Sequence, residues 1–155
     1  MPANTPVVLL RESTGRNRLL PILIGAPEAN AIHLALEGLT PPRPMTHDLF
    51  RHVLEAVNVN LVRVVITEIK EHTYYADLHL TTPYGDLVVS GRPSDAIALA
   101  TRFSAPIFAE EALLDEVGQE AAAEDDDDDE QVAEEILDEF HDFIESVKPE
   151  DFFES

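Results

Sequence analysis

Three runs of sequence decide the fold: VNLVRVVITEI at 59–69, TYYADLHL at 73–80 and DLVVS at 86–90. The first is rich in β-branched residues, and the first two alternate apolar with polar positions. Both traits suit a pleated surface that is buried on one side. The turn Pro83-Tyr84-Gly85 separates the second run from the third. The three together predict an antiparallel meander with one face on the core.

Outward from the meander the pattern changes. Residues 6–10 and 19–24 are apolar runs divided by Glu12-Ser13-Thr14-Gly15, a hairpin signal. Pro27 opens a helical segment with Ala29, Ile32, His33 and Leu36 on one face, and Gly38 is its stop. The Pro-rich stretch 40–44 cannot continue a helix and predicts an extended connection. Thr46 is an N-cap residue for a second helix reaching about Asn58, with Leu49, Phe50, Val53, Leu54 and Val57 at core spacing. Ser94 is expected to cap a third helix through about Phe103. A short strand at 106–108 and a short helix at 109–117 follow. Clustered strands with helices between them argue for an α+β fold, an antiparallel β-sheet with packed helices, rather than a doubly wound parallel sheet.

The 155 residues allow one domain, expected at 1–118, and an appendage. Cysteine is absent, which excludes a disulfide scaffold, a zinc ribbon and a thiol nucleophile together. The first residues lack the basic and apolar stretches of a signal peptide, and no apolar run approaches the ~20 residues of a membrane span. A cytoplasmic, membrane-free protein is therefore expected. The net charge of −21 is unevenly placed. Residues 1–118 hold 14 acids and 9 basic side chains, whereas 119–155 hold 17 acids and only Lys148. Five consecutive aspartates, Asp125 to Asp129, and few large apolar residues predict a disordered acidic linker at 119–131. In the tail at 132–155, Val132, Ile136, Phe140, Phe143, Ile144 and Val147 then fall on one helical stripe, and Pro149 ends it. An isolated helix of that length is marginal in water, so 132–147 needs a docking surface, on this domain or on a protein partner.

Two segments share a grammar. Arg43-Pro44-Met45-Thr46-His47-Asp48 and Arg92-Pro93-Ser94-Asp95 each set an arginine and a proline before a hydroxyl and an acid at a helix start. A helix N-terminus attracts anions, and a guanidinium beside it adds a planar fork suited to phosphate. Arg43, Arg92, Thr46 and Ser94 are thus candidate substrate-binding residues. The plainer alternative is that the hydroxyls cap helices, the acids complement the dipole and the arginines pair with carboxylates. His47, in a first helical turn, is a candidate acid or base, with plain local hydrogen bonding as the equal alternative. Glu28, Asp48 and Asp95 each stand at a predicted helix start and form a candidate Mg²⁺ or Mn²⁺ set, with Asp48 and Asp95 also candidate catalytic groups. Dipole complementarity accounts for the three equally well. Asp77 and His79 share a strand face and form a weaker candidate metal pair, since polar residues on such a face usually just meet water. There is no Gly-rich phosphate loop, serine elbow or HExxH sequence, and no excess of basic residues of the kind that supplies nonspecific nucleic-acid affinity.

Five stretches, taken in order, resemble the bifunctional nuclease (BFN) domain family: PVVLLRE from Pro6, LPILIG from Leu20 with Glu28-Ala29, PRPMTHD from Pro42, GRPSDAIALA from Gly91, and APIF from Ala105. The resemblance implies an α+β fold with an antiparallel sheet, a homodimer, and hydrolysis of RNA and DNA. Two functions from different classes are consistent with the whole. One is a nuclease, with Arg43 and Arg92 on phosphate and Glu28, His47, Asp48 and Asp95 holding metal or moving protons. The other is a non-catalytic dimeric interaction module whose tail helix binds a protein partner.

Overall fold

The computed structural model describes residues 5–120. The chain runs β1 (Val7–Arg11), β2 (Arg18–Leu23), α1 (Ala26–Leu36), α2 (Thr46–Ala56), β3 (Asn60–Lys70), β4 (Thr73–Thr82), β5 (Gly85–Gly91), α3 (Pro93–Phe103), β6 (Ile107–Ala109), α4 (Glu111–Val117) and β7 (Gln119–Glu120). The expected meander is β3–β4–β5, paired antiparallel throughout. The strands form two sheets, with order β1-β2-β7 and β5-β4-β3-β6. The second sheet is mixed, because β6 lies parallel to β3. The α+β class holds, while a purely antiparallel arrangement does not: the chain returns to β3 through α3, and such a crossover leaves the strand parallel.

The core joins the inner face of the second sheet to the hairpin and α3. Val64 and Ile66 of β3, Ala76 of β4, Leu20 of β2 and the run Ala96–Ala100 of α3 are buried together. Every residue of β2 from Arg18 to Ile22 is buried. Pro21 is tolerated there because β7 pairs only with Arg18 and Leu19, so no ladder bond is needed on that side. Its carbonyl instead accepts a bond from the Tyr74 hydroxyl of β4 at 3.2 Å, tying the two sheets. Burial, with a lesser contribution from Glu116, pushes the Tyr74 phenol up to about 12.

Arg18, only 3 % exposed, fastens the hairpin to α4. Its guanidinium bonds to Glu12 at 2.9 Å, Glu111 at 2.7 Å and Asp115 at 2.8 Å. The hydrogen bond from the Arg18 side chain holds the Glu12 carboxyl at about 2. Such a buried cation is sustained only by partners of this kind.

Several expectations are revised. α2 buries none of its residues: Leu49, Phe50, Val53 and Val57, expected in the core, are 51–57 % exposed. Periodicity places them on one face, but that face points outward. Met45, not Thr46, is the N-cap of α2, and Arg92, not Ser94, is the N-cap of α3, with Pro93 filling the first turn. The domain expected to end at Gly118 continues for two residues, since β7 pairs with β2. The rest of the expected linker and the tail at 132–155 lie outside the described residues.

Candidate functional site

Three helices begin alike. Glu28 in α1, Asp48 in α2 and Asp95 in α3 each occupy the third helical position after the N-cap. A carboxylate there faces the positive end of the helix dipole. Each then finds a second partner, and the partner decides what the acid can do.

Glu28 and Asp95 meet on Arg92. Its Nε bonds to Asp95 Oδ2 at 2.8 Å, and its Nη2 bonds to Glu28 Oε1 at 3.0 Å and Asp95 Oδ1 at 3.1 Å. His47 Nε2 lies 2.9 Å from Asp95 Oδ1. One network therefore links Glu28, His47, Arg92 and Asp95 across the first turns of α1, α2 and α3. Burial alone would raise the Asp95 carboxyl, but hydrogen bonds from Arg92 and His47 outweigh it and hold it below the usual range. The same bonds, from Asp95 first and Glu28 second, raise Arg92. Gly25 makes room for the network: a Cβ there would strike the Glu28 carboxylate.

The side chain of His47 is 15 % exposed, whereas that of Arg92 is 65 % exposed. A polar cluster thus presents one open guanidinium beside one sheltered imidazole. Among the described residues, Arg92 Nη1 meets no acceptor. An aspartate on one ring nitrogen fixes the imidazole and leaves the other nitrogen to exchange a proton.

Asp48 goes elsewhere. It accepts the Met45 backbone N–H at 3.0 Å and Arg102 Nε at 2.7 Å. Burial raises its carboxyl, but Arg102 and the Met45 amide bring it below the usual range. Arg102, which sequence reasoning missed, also donates to the carbonyls of Ala98 and Ala31, so Asp48 belongs to a clasp between α1, α2 and α3. Its signal was a cation in the last turn of α3.

The expected Glu28, Asp48 and Asp95 metal set is not assembled, because guanidinium groups engage all three acids. Among the described residues, no three His, Cys, Asp or Glu side chains are grouped to hold a metal ion. Thr46 is exposed at the first position of α2. Ser94, expected to meet substrate, is 7 % exposed and lies in the domain interior. Arg43 is exposed three residues before α2 and has no bonded partner among the described residues. The paired first turns of α2 and α3 thus bring together His47, Arg92 and Asp95, but not Ser94.

The model of the bifunctional nuclease domain matches residues 8–122. The chain belongs to the bifunctional nuclease domain family. Among its relatives, an uncharacterized protein of Mycobacterium tuberculosis is 44% identical over 97% of this chain and 90% of its own length. Bifunctional nuclease 1 and bifunctional nuclease 2 of Oryza sativa subsp. japonica are each 28% identical, over 64% and 72% of this chain. This chain spans only 31% and 35% of those two plant proteins. The bifunctional nuclease domain holds the whole His47–Asp95–Arg92–Glu28 network. The mycobacterial match runs past its end at residue 122 and through most of the acidic tail. No helix among the described residues is long and apolar enough to cross a membrane.

Proposed function

We propose that the chain hydrolyses phosphodiester bonds in RNA or DNA, with His47 as the proton acceptor and Arg92 on the phosphate. The observation that carries this reading is the His47–Asp95–Arg92–Glu28 network at the joined starts of α2 and α3. Asp95 orients the imidazole. His47 takes a proton from the attacking water or hydroxyl as its oxygen bonds to phosphorus. The leaving P–O bond breaks, and its oxygen acquires a proton from solvent. Arg92 Nη1, with Arg43 from the segment before α2, balances the charge on the non-bridging oxygens. No step is routed through Mg²⁺ or Mn²⁺, since the carboxylates expected to hold one are paired with arginines. The metal enters as an arm of the assay. The proposed setting is the cytoplasm, and the proposed unit is a homodimer.

A second reading is favoured by charge and surface. The two acids Glu28 and Asp95 share the single guanidinium of Arg92, and α2 offers an apolar face to solvent. Both suit a dimeric interaction module whose segment 132–147 engages a protein. A nuclease assay on highly purified full-length protein, with and without EDTA, separates the two. The nuclease reading predicts cleavage that disappears in an Arg92→Ala, Asp95→Ala variant of unchanged secondary structure. Cleavage persisting in that variant assigns it to a contaminant or another site, and no cleavage in either preparation supports the interaction module.

A further inference from the structure

α2 is turned inside out. Its domain side carries His47, Asp48 and Arg51, which meet Asp95, Arg102 and the Phe103 ring of α3. Half-buried Leu54 is the apolar residue on that side. The opposite side presents Leu49, Phe50, Val53 and Val57, with Met45 one turn before them. Surface helices ordinarily bury the apolar side and expose the charged one. The exposed stripe amounts to roughly 400 Å² of apolar surface, within the ~300–600 Å² of a typical monomer's largest patch, which is often functional.

We infer that this stripe is the docking site of the chain's own segment 132–147. That segment carries the complementary feature, the apolar positions Val132, Ile136, Phe140, Phe143, Ile144 and Val147 at helical spacing. At 1.5 Å per residue the α2 stripe is ~18 Å long and the segment ~22 Å, so the two match in length. Residues 121–131 span up to ~36 Å when extended, which sets the surface path from Glu120 that the tether can cover. Tethering favours this occupant over a second copy, which in a standard interface buries ~800 Å² per partner of polar and apolar surface together. A tethered segment forgoes the association cost and docks on less. The polar side of the segment is acidic, and Arg43, without a partner among the described residues, stands just ahead of the stripe. The match to the mycobacterial relative also takes in most of this tail.

Docking itself is independent of the nuclease reading; one consequence rests on it. The acids Asp125 to Asp129 belong to the tether, and docking of 132–147 raises their local concentration beside the domain, where they compete with phosphate for Arg43 and Arg92. Hydrogen exchange on the full-length chain tests the docking, comparing wild type with the full-length Phe50→Ser, Val53→Ser variant. Both substitutions fall on exposed residues, and unchanged exchange in β3 and β4 verifies the fold. The expected result is protection of the 132–147 amides by about tenfold or more in wild type, independent of protein concentration and lost in the variant. Absence of protection, protection that survives the substitutions, or protection that rises with concentration overturns the proposal, the last result assigning the stripe to a second copy. The variant is also expected to bind a single-stranded oligonucleotide more tightly at low salt, with the gain shrinking as salt rises. Equal binding by the two proteins overturns the competition alone, whereas loss of cleavage by both overturns the nuclease reading and leaves the docking result intact.

Discussion

Arg18 joins the hairpin to α4 through Glu12, Glu111 and Asp115, and its removal strands three carboxylates around one site. Arg18→Met keeps the stem but deletes the charge. It is expected to lower the thermal midpoint by about 10 °C, measured by circular dichroism. Acid has a related effect. Glu12, held at about 2 against an ordinary 4.5, binds its proton later in the folded chain than in the unfolded one. Asp48 and Asp95 are shifted in the same direction from 3.8. These acids stabilise the fold above their ordinary values, and that stability disappears as pH falls through the folded ones. The melting temperature should therefore start to fall near pH 4.5 and continue toward pH 2. A midpoint unchanged down to pH 3 contradicts the assignment.

Among the elements, the β3–β4 hairpin turns on Glu71 and His72, both with positive φ, 49° and 64°. Two left-handed residues match the twist of a hairpin, but side chains other than Asn, Asp and Gly strain there. Replacing Glu71-His72 by Asn-Gly is expected to stabilise the domain by about 1 kcal/mol, read as a higher urea midpoint at unchanged slope. An unchanged or lower midpoint contradicts that account of the turn. The hairpin itself was legible because period-2 alternation at 59–69 and 73–80 is a local signal. α2 was legible as a helix but not in its orientation: the spacing of Leu49, Phe50, Val53 and Val57 says which residues share a face, not what the face meets. The parallel pairing of β6 and the splitting of the sheet depend on contacts distant in sequence, such as Val64 with Ile107. At the site, the helix starts of Glu28, Asp48 and Asp95 were visible. That Arg92 would gather two of them and Arg102 the third was not, because side-chain partners across helices leave no spacing in the chain.

For the whole molecule, the proposed dimer has a different basis from the one the sequence offers. The run at 19–24 is apolar throughout, as suits a strand covered on both faces, and β2 has that cover within one chain. β5 is an edge strand on which Leu87, Val88 and Val89 are 43–52 % exposed. An open apolar edge pairs readily with another chain. Sedimentation equilibrium is expected to show a dimer at tens of micromolar, weakened by Val88→Lys. A monomer throughout that range contradicts the proposal.

The central claim is that His47, held by Asp95, moves a proton during phosphodiester cleavage. Its most direct test is the single-turnover rate on a labelled RNA or DNA oligonucleotide for wild type and His47→Ala, at equal occupancy and with secondary structure confirmed. Loss of a positioned acid or base predicts a rate lower by about 10²- to 10⁴-fold with oligonucleotide affinity retained. Equal rates for the two proteins contradict the claim.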